Sequence, residues 1–203
     1  MNTLLLGSKS QSRQMLLQEA QIPFQLVGQD ADEMQCDWTL PLEQAVASIA
    51  AHKMDHVVLH SGKENAFCFV LTADTLSTDA HGKLNGKPID KQDAIQKIKL
   101  NRGRDNHLAT AFCLDRKIWS NGAWQTERRI EKVVSSYYRF DIPDEWIDIY
   151  LEKSWGLTAS GAVAVELYGS QFLKEVRGSY SSIIGLPLYE VREALTEVGF
   201  FTF

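Results

Sequence analysis

The run Phe67-Cys68-Phe69-Val70-Leu71 passes directly into Thr72-Ala73-Asp74-Thr75. Five consecutive apolar residues leave no side for water, which is the pattern of a central strand covered on both faces. Asp74 then stands in a short polar segment at the C-terminal end of that strand, where the clefts of α/β proteins form.

Working outward, Thr3 to Leu6 is a second short apolar run, ended by Gly7. Ser8-Lys9-Ser10 is a polar loop, and Ser10 can cap a helix through about Ala20 that buries Met15, Leu16 and Leu17. Phe24 to Val27 reads as a strand and Asp30-Ala31-Asp32-Glu33 as an acidic loop. Pro41 opens the longest helix, with Leu42, Ala45, Val46, Ile49 and Ala50 at helical spacing. On the other side of the central run, His81 to Lys87 is polar and turn-rich, and Asp90 caps a helix through about Leu100. Leu108 to Leu114 and Ile130 to Phe140 read as strands, and Ser120-Asn121-Gly122 as a hairpin turn. A helix from Pro143 to about Lys153, short strands near Ala162–Val165 and Phe172–Val176, and a last helix from Pro187 complete the chain. Strands alternate with helices in the first half and cluster in the second. The expected fold is α/β with a mixed sheet, in one domain spanning 1–203 without a linker.

Composition narrows the classes. Of 203 residues, 44% are hydrophobic and 23% charged, which is ordinary globular usage and argues against disorder, collagen and a membrane protein. The net charge of −5 argues against a duplex nucleic-acid partner, which needs a basic footprint. The three cysteines, Cys36, Cys68 and Cys113, form no CxxC pair, so neither a zinc ribbon nor a thioredoxin-like motif is available. With no basic leader and no long apolar stretch, the expectation is a cytoplasmic protein with no membrane partner.

Several phosphate-binding signatures are absent. No GxG occurs, none of the three Gly-Lys pairs is followed by Ser or Thr, and there is no GxSxG. Three segments carry chemistry instead. The loop Ser8-Lys9-Ser10 feeds a helix N-terminus, whose free N–H groups with Lys9 and Arg13 attract an anion; an ordinary capped helix accounts for the same residues. Asp30, Asp32 and Glu33 after one predicted strand and Asp74 after another are carboxylates suited to magnesium or manganese; exposed acidic turns account well for Asp30 and Asp32 and less well for Glu33 and Asp74. Gly86-Lys87-Pro88 presents a lysine on a stiffened arm, and Lys53 falls near the apolar stripe of the long helix; each is also a plain surface lysine. His52, His56 and His60 recur at i, i+4, but without HExxH they are better read as a polar helix face than as a metal site.

The order of these segments resembles the Maf family of nucleoside triphosphate pyrophosphatases, named for septum formation. Leu4 to Arg13 looks like the family's LASSSPRR, Asp30 to Glu33 like its DxDE, Ala73-Asp74-Thr75 with Gly86-Lys87-Pro88 like its ADT…GKP, and Gly103-Arg104 with Thr110 like its SGRTHxVxT. Gly178 to Pro187 is similar to GDYSNVVGLP. The departures are Gln11 for proline, Ser12 for arginine or tryptophan, Asn106 for histidine, Ser179 and Ser182 for Asp and Asn, and Val163-Ala164-Val165-Glu166 for YGIQ.

The resemblance implies a Maf/ITPase-like fold: a mixed sheet in two lobes flanked by helices around a central nucleotide-binding cleft, commonly in a homodimer. It implies hydrolysis of a nucleoside triphosphate to the monophosphate and pyrophosphate with a divalent metal, Mg or Mn. It places Asp74 and Glu33 as catalytic and metal-binding residues, and Ser8, Lys9, Ser10, Arg13, Lys53, Lys87 and Glu166 on the substrate. The other class left open is a nucleotide-binding regulator of cell division that has lost turnover. Glu166 matches a position that is Gln in pyrimidine-directed branches and Glu in one that looks selective for 7-methyl-GTP. A carboxylate suits the guanine edge and the cationic methylated base. The expectation is therefore a modified purine such as 7-methyl-GTP, with UTP or dTTP second.

Overall fold

The central strand is longer than its apolar run. In the computed structural model, which describes residues 2–78 and 81–201, it spans Phe67–Thr78 and carries Asp74 within it rather than in a loop beyond its end. The reason is non-local: its antiparallel partner pairs with it from Phe67↔Ile118 to Ser77↔Leu108, holding Thr72 to Ser77 extended.

In chain order the elements are β1 (Leu4–Leu6), α1 (Gln11–Glu19), β2 (Phe24–Leu26), β3 (Gly28–Gln29), α2 (Leu42–Asp55), β4 (Val57–Val58), β5 (Phe67–Thr78), β6 (Leu84–Asn85) and α3 (Lys91–Asn101). Then follow β7 (Asp105–Ser120), β8 (Ala123–Phe140), α4 (Ile147–Lys153), β9 (Leu173–Arg177), α5 (Tyr180–Ile184) and α6 (Leu188–Glu197). The main sheet runs β2-β1-β5-β7-β8-β9, with β6 beside the far end of β5. β1 lies parallel to β2 and β5, and the remaining pairs are antiparallel, so the sheet is mixed as expected. β3 and β4 form a separate small pair.

Both faces are covered. Phe69, Leu71 and Ala73 of β5 join Leu16 and Leu17 of α1, Ala94 and Ile98 of α3, Tyr150 of α4 and Val191 and Leu195 of α6 in one core. On the opposite face α2 packs Val46, Ile49 and Ala50 against Leu76, Ala109 and Ala111. Side chains alternate along a strand, so β5 sends Asp74 toward α2 and Thr75 toward α1.

Local signals set most boundaries. Ser10 caps α1 by accepting from the Arg13 N–H, and Asp90 caps α3 by accepting from Asp93. Asn121 and Gly122 both have positive φ, 55° and 79°, as a two-residue hairpin turn requires. Pro143 precedes a 3-10 turn, Asp144–Trp146, that runs into α4.

Three readings of the sequence change here. Residues 162–165 form no strand: Ala162 has φ 61° and closes a 3-10 turn, and its backbone is held by Tyr150 rather than by a neighbouring strand. α5 is an additional short helix, which Ser179 caps by accepting from Ser182. α2 ends at Asp55, so His60 lies off the helix, and the His56 Nδ1 engages the His52 carbonyl at 2.8 Å. Among the described residues no cluster of three His, Cys, Asp or Glu could hold a metal, and no helix is long and apolar enough to cross a membrane.

Candidate active site

β1 stops at Leu6, opposite Leu71, while β5 continues. Asp74 and Thr75 therefore project past the end of β1, into a cleft floored by the loop that links β1 to α1. An outer chamber of about 660 Å³ is lined by Gly7 to Arg13, Gln29, Glu33, Lys53 and Lys87 on one side and Ser154, Trp155, Leu157 and Thr158 on the other. An inner chamber of about 100 Å³ adds Asp74, Thr75, Val163, Ala164, Glu166 and Gly185. Ser10, Ser12, Arg13, Lys53, Lys87 and Thr158 line both.

Lys53 is the centre of charge. It sits in the last turn of α2, 7% exposed, and its Nζ lies 2.5 Å from Asp74 Oδ1 and 2.9 Å from Glu33 Oε1. Asp74 is 8% exposed, whereas the Glu33 side chain, on a 3-10 turn capped by Asp32, is 39% exposed. Burial alone would raise the Glu33 pKa, but the hydrogen bond and charge of Lys53, with Lys87 and Arg13, hold it below the ordinary carboxylate value.

Arg13 is also buried, at 8%. Its Nε donates to the Gly185 carbonyl at 2.8 Å, Nη1 to Ser8 Oγ at 3.1 Å and Nη2 to Thr75 Oγ1 at 3.2 Å. Burial lowers its pKa against the pull of Asp74 and Glu33, yet an arginine stays charged at any physiological pH. Thr110 Oγ1 lies 2.8 Å from the Ser182 carbonyl and 2.9 Å from Thr75 Oγ1. A carbonyl can only accept, so Thr110 donates to it, Thr75 donates to Thr110, and Arg13 donates to Thr75. The chain of donors runs one way and fixes the guanidinium plane. Three of the five Arg13 N–H groups are engaged, leaving one on each terminal nitrogen for a ligand.

Lys9 and Lys87 are exposed at the cleft. The loop carrying Lys87 is tied to the opposite wall: the Gly161 N–H donates to the Gly86 carbonyl at 3.1 Å, and Ser160 Oγ bonds the Asn85 carbonyl. Glu166 is 4% exposed and accepts from Ser12 Oγ at 2.6 Å. Burial raises its pKa despite the opposing hydrogen bonds from Ser12 and the backbone. The segment before it hangs on Tyr150, fully buried, whose hydroxyl accepts from the Ala164 N–H at 2.7 Å and faces the Ala162 and Ala164 carbonyls at 3.2 Å.

All nine residues singled out in the sequence thus line one cleft. Thr75, Thr110, Gly185, Ser12 and Trp155 were not among them. Thr75 and Thr110 lie inside matched motifs, and only strand register makes them neighbours. Nothing local marks Trp155.

The model of the family described as Maf-like protein matches residues 3–198. The chain belongs to the Maf-like family. A dTTP/UTP pyrophosphatase of Syntrophus aciditrophicus is 32% identical over 201 residues, covering 98% of this chain and 92% of that protein. A dTTP/UTP pyrophosphatase of Fusobacterium nucleatum is 28% identical over 197 residues, with 97% and 96% covered. Among solved structures, a HAM1 protein from Coxiella burnetii aligns with TM-score 0.43 at 13% identity, covering 97% of this chain and 100% of that one. For a Maf-like chain, the departures at Ser12 and Glu166 are linked: the two side chains bond each other.

Proposed function

We propose that the chain hydrolyses a nucleoside triphosphate to the monophosphate and pyrophosphate, the activity named in its relatives. The observation that carries this reading is the Glu33–Lys53–Asp74 cluster in a cleft that also holds Lys87, Arg13 and the α1 N-terminus. A triphosphate laid along the Ser8–Arg13 loop meets backbone N–H groups and a helix N-terminus. Lys87, Lys9 and the free N–H groups of Arg13 neutralise the departing pyrophosphate as the bond from the α-phosphorus to the bridging oxygen breaks. Asp74 and Glu33 orient the attacking water, and Asp74, more buried and closer to the inner chamber, accepts its proton.

The donor set fits a divalent cation. Both carboxylates converge on the point now held by the Lys53 ammonium, and Mg²⁺ or Mn²⁺ is ordinarily held by one or two carboxylates completed by substrate phosphates and water. Such a cation would supply Lewis-acid stabilisation of the α-phosphoryl oxygens. With a cation held there, Lys53 would be released from the carboxylates to pair with the phosphates.

For the base, the proposed substrate is dTTP or UTP, as in the relatives' names. Burial favours the neutral form of Glu166, and a neutral carboxyl offers one donor and one acceptor, like the amide it replaces. That pattern suits the uracil or thymine edge. A second reading, 7-methyl-GTP, follows if Glu166 stays ionised in the complex. Pyrophosphate release from dTTP, UTP, 7-methyl-GTP and the common triphosphates, with Mg²⁺ or Mn²⁺, tests both. Turnover of none of them overturns the enzyme reading, and faster turnover of 7-methyl-GTP than of UTP and dTTP overturns the base assignment.

A further inference from the structure

Four of the five tryptophans have a partner. Trp38 Nε1 donates to the Glu33 carbonyl, Trp119 packs edge-on against Trp124, Trp124 Nε1 donates to the His60 carbonyl, and Trp146 meets Phe172. Trp155 has none among the described residues: its ring contacts no other aromatic ring or cation, and its N–H reaches no acceptor. It is nevertheless half-buried, on the wall of the outer chamber that faces the Ser8–Arg13 loop.

Its mount is fixed. The Trp155 carbonyl accepts from both the N–H and the hydroxyl of Thr158, at 2.9 and 3.0 Å. The adjoining Gly156 packs so closely on Tyr150 that a side chain there would meet the Ala162 carbonyl at 2.9 Å and the Tyr150 ring at 3.0 Å. The two walls differ in kind. The loop wall offers N–H groups, hydroxyls and cations, the chemistry of a phosphate chain. The facing wall offers Trp155 and Leu157, a flat π-face beside an aliphatic side chain. Ser12 and Thr158 line both chambers, so the chamber that Trp155 lines is continuous with the one that holds the Ser12–Glu166 pair.

We infer that Trp155 is the stacking platform for the nucleobase, a subsite that rests on the nucleotide-cleft reading above. Stacking supplies affinity that is tolerant of base identity, whereas hydrogen bonds to an edge discriminate. Trp155 holds the ring and the Ser12–Glu166 pair reads it. A rigid aromatic with two rotatable bonds gives that area at small entropic cost.

The test is titration calorimetry on the full chain with UMP, 7-methyl-GMP and inorganic pyrophosphate, together with tryptophan emission. Trp155→Ala should weaken binding of the monophosphates by about tenfold and leave pyrophosphate affinity unchanged. Trp155→Phe keeps a π-face, so its affinity should stay within about threefold of wild type while the emission change on adding monophosphate is largely lost. Circular dichroism checks folding, and the Phe variant carries the test if the Ala variant does not fold. Unchanged monophosphate affinity in Trp155→Ala, or an unchanged emission response in Trp155→Phe, overturns the stacking assignment alone. Wild-type protein that binds neither the monophosphates nor pyrophosphate overturns the cleft reading beneath it.

Discussion

Replacing Lys53 by methionine should produce a protein that binds magnesium more tightly while turning over less. The ammonium touches Glu33 and Asp74 at 2.9 and 2.5 Å, so the two carboxylate oxygens lie within roughly 5 Å of each other. Without the ammonium between them, two like charges at that separation repel by about 3 kcal/mol at an effective dielectric near 20. The Glu33 side chain is 39% exposed, so solvent screening reduces the cost to about 1–2 kcal/mol. Urea unfolding of Lys53→Met in EDTA should show that loss, and millimolar Mg²⁺ should restore most of it by occupying the position between the carboxylates. Calorimetry of Mg²⁺ binding should give a lower Kd than wild type, because the metal no longer displaces a lysine. Turnover should still fall about a hundredfold, since the phosphates lose a buried cation. A variant as stable as wild type in EDTA, or one that magnesium stabilises no more than wild type, would refute the shared-cation reasoning.

Three further outcomes follow from the geometry. Asp74→Asn keeps shape but removes the charge, so pyrophosphate release should drop about a hundredfold or more; near-normal turnover would remove Asp74 from the chemistry. Glu166 has a pKa raised by burial, so between the ordinary glutamate value and the raised one the folded state holds a proton that the unfolded chain has released. Stability is therefore lost as pH rises through that window. Glu166→Gln should gain on wild type in urea midpoint as pH rises above the ordinary glutamate value, and a constant difference between the two would contradict a buried, proton-favouring carboxyl. At Gly169 a side-chain carbon would lie 1.8 Å from the Ala164 carbonyl oxygen, against backbone that cannot yield, so Gly169→Ala should cost about 3 kcal/mol or more in unfolding measurements.

The legibility of the sequence divides between local and distant causes. Ser10, Asp90, Pro41 and the Asn121-Gly122 pair each act on their own neighbourhood, and α1, α3, α2 and the β7–β8 hairpin begin or turn where these residues say they should. The sequence places Asp74 in a loop, whereas its extended backbone is held by β7, whose pairing residues lie more than thirty positions away. Val163 and Val165 alternate as a strand would, yet the Tyr150 hydroxyl and the positive φ of Ala162 decide otherwise. The candidate site was legible as a list of charged residues in a familiar order. Its supports were not: Thr75, Thr110 and Ser182 become a directed chain of hydrogen bonds only after three elements are packed. Burial also changes the reading of Glu166, from a carboxylate suited to a cationic purine to a group that tends toward neutrality.

The reach of Arg13 has a bearing on biosynthesis. Its Nε bonds the carbonyl of Gly185, 172 positions later, and β1, which has β2 on one side, takes its other partner from the distant β5. During translation β1 and α1 emerge long before β5 and the Gly185 carbonyl. Their apolar sides must wait, solvent-facing or shielded by chaperones, until those later segments have left the ribosome. Contacts of such long range make for slow folding. They also ensure that a prematurely terminated chain lacks the carbonyl that anchors the guanidinium. A messenger truncated before codon 185 would yield a fragment with most of the charged residues and no assembled cleft.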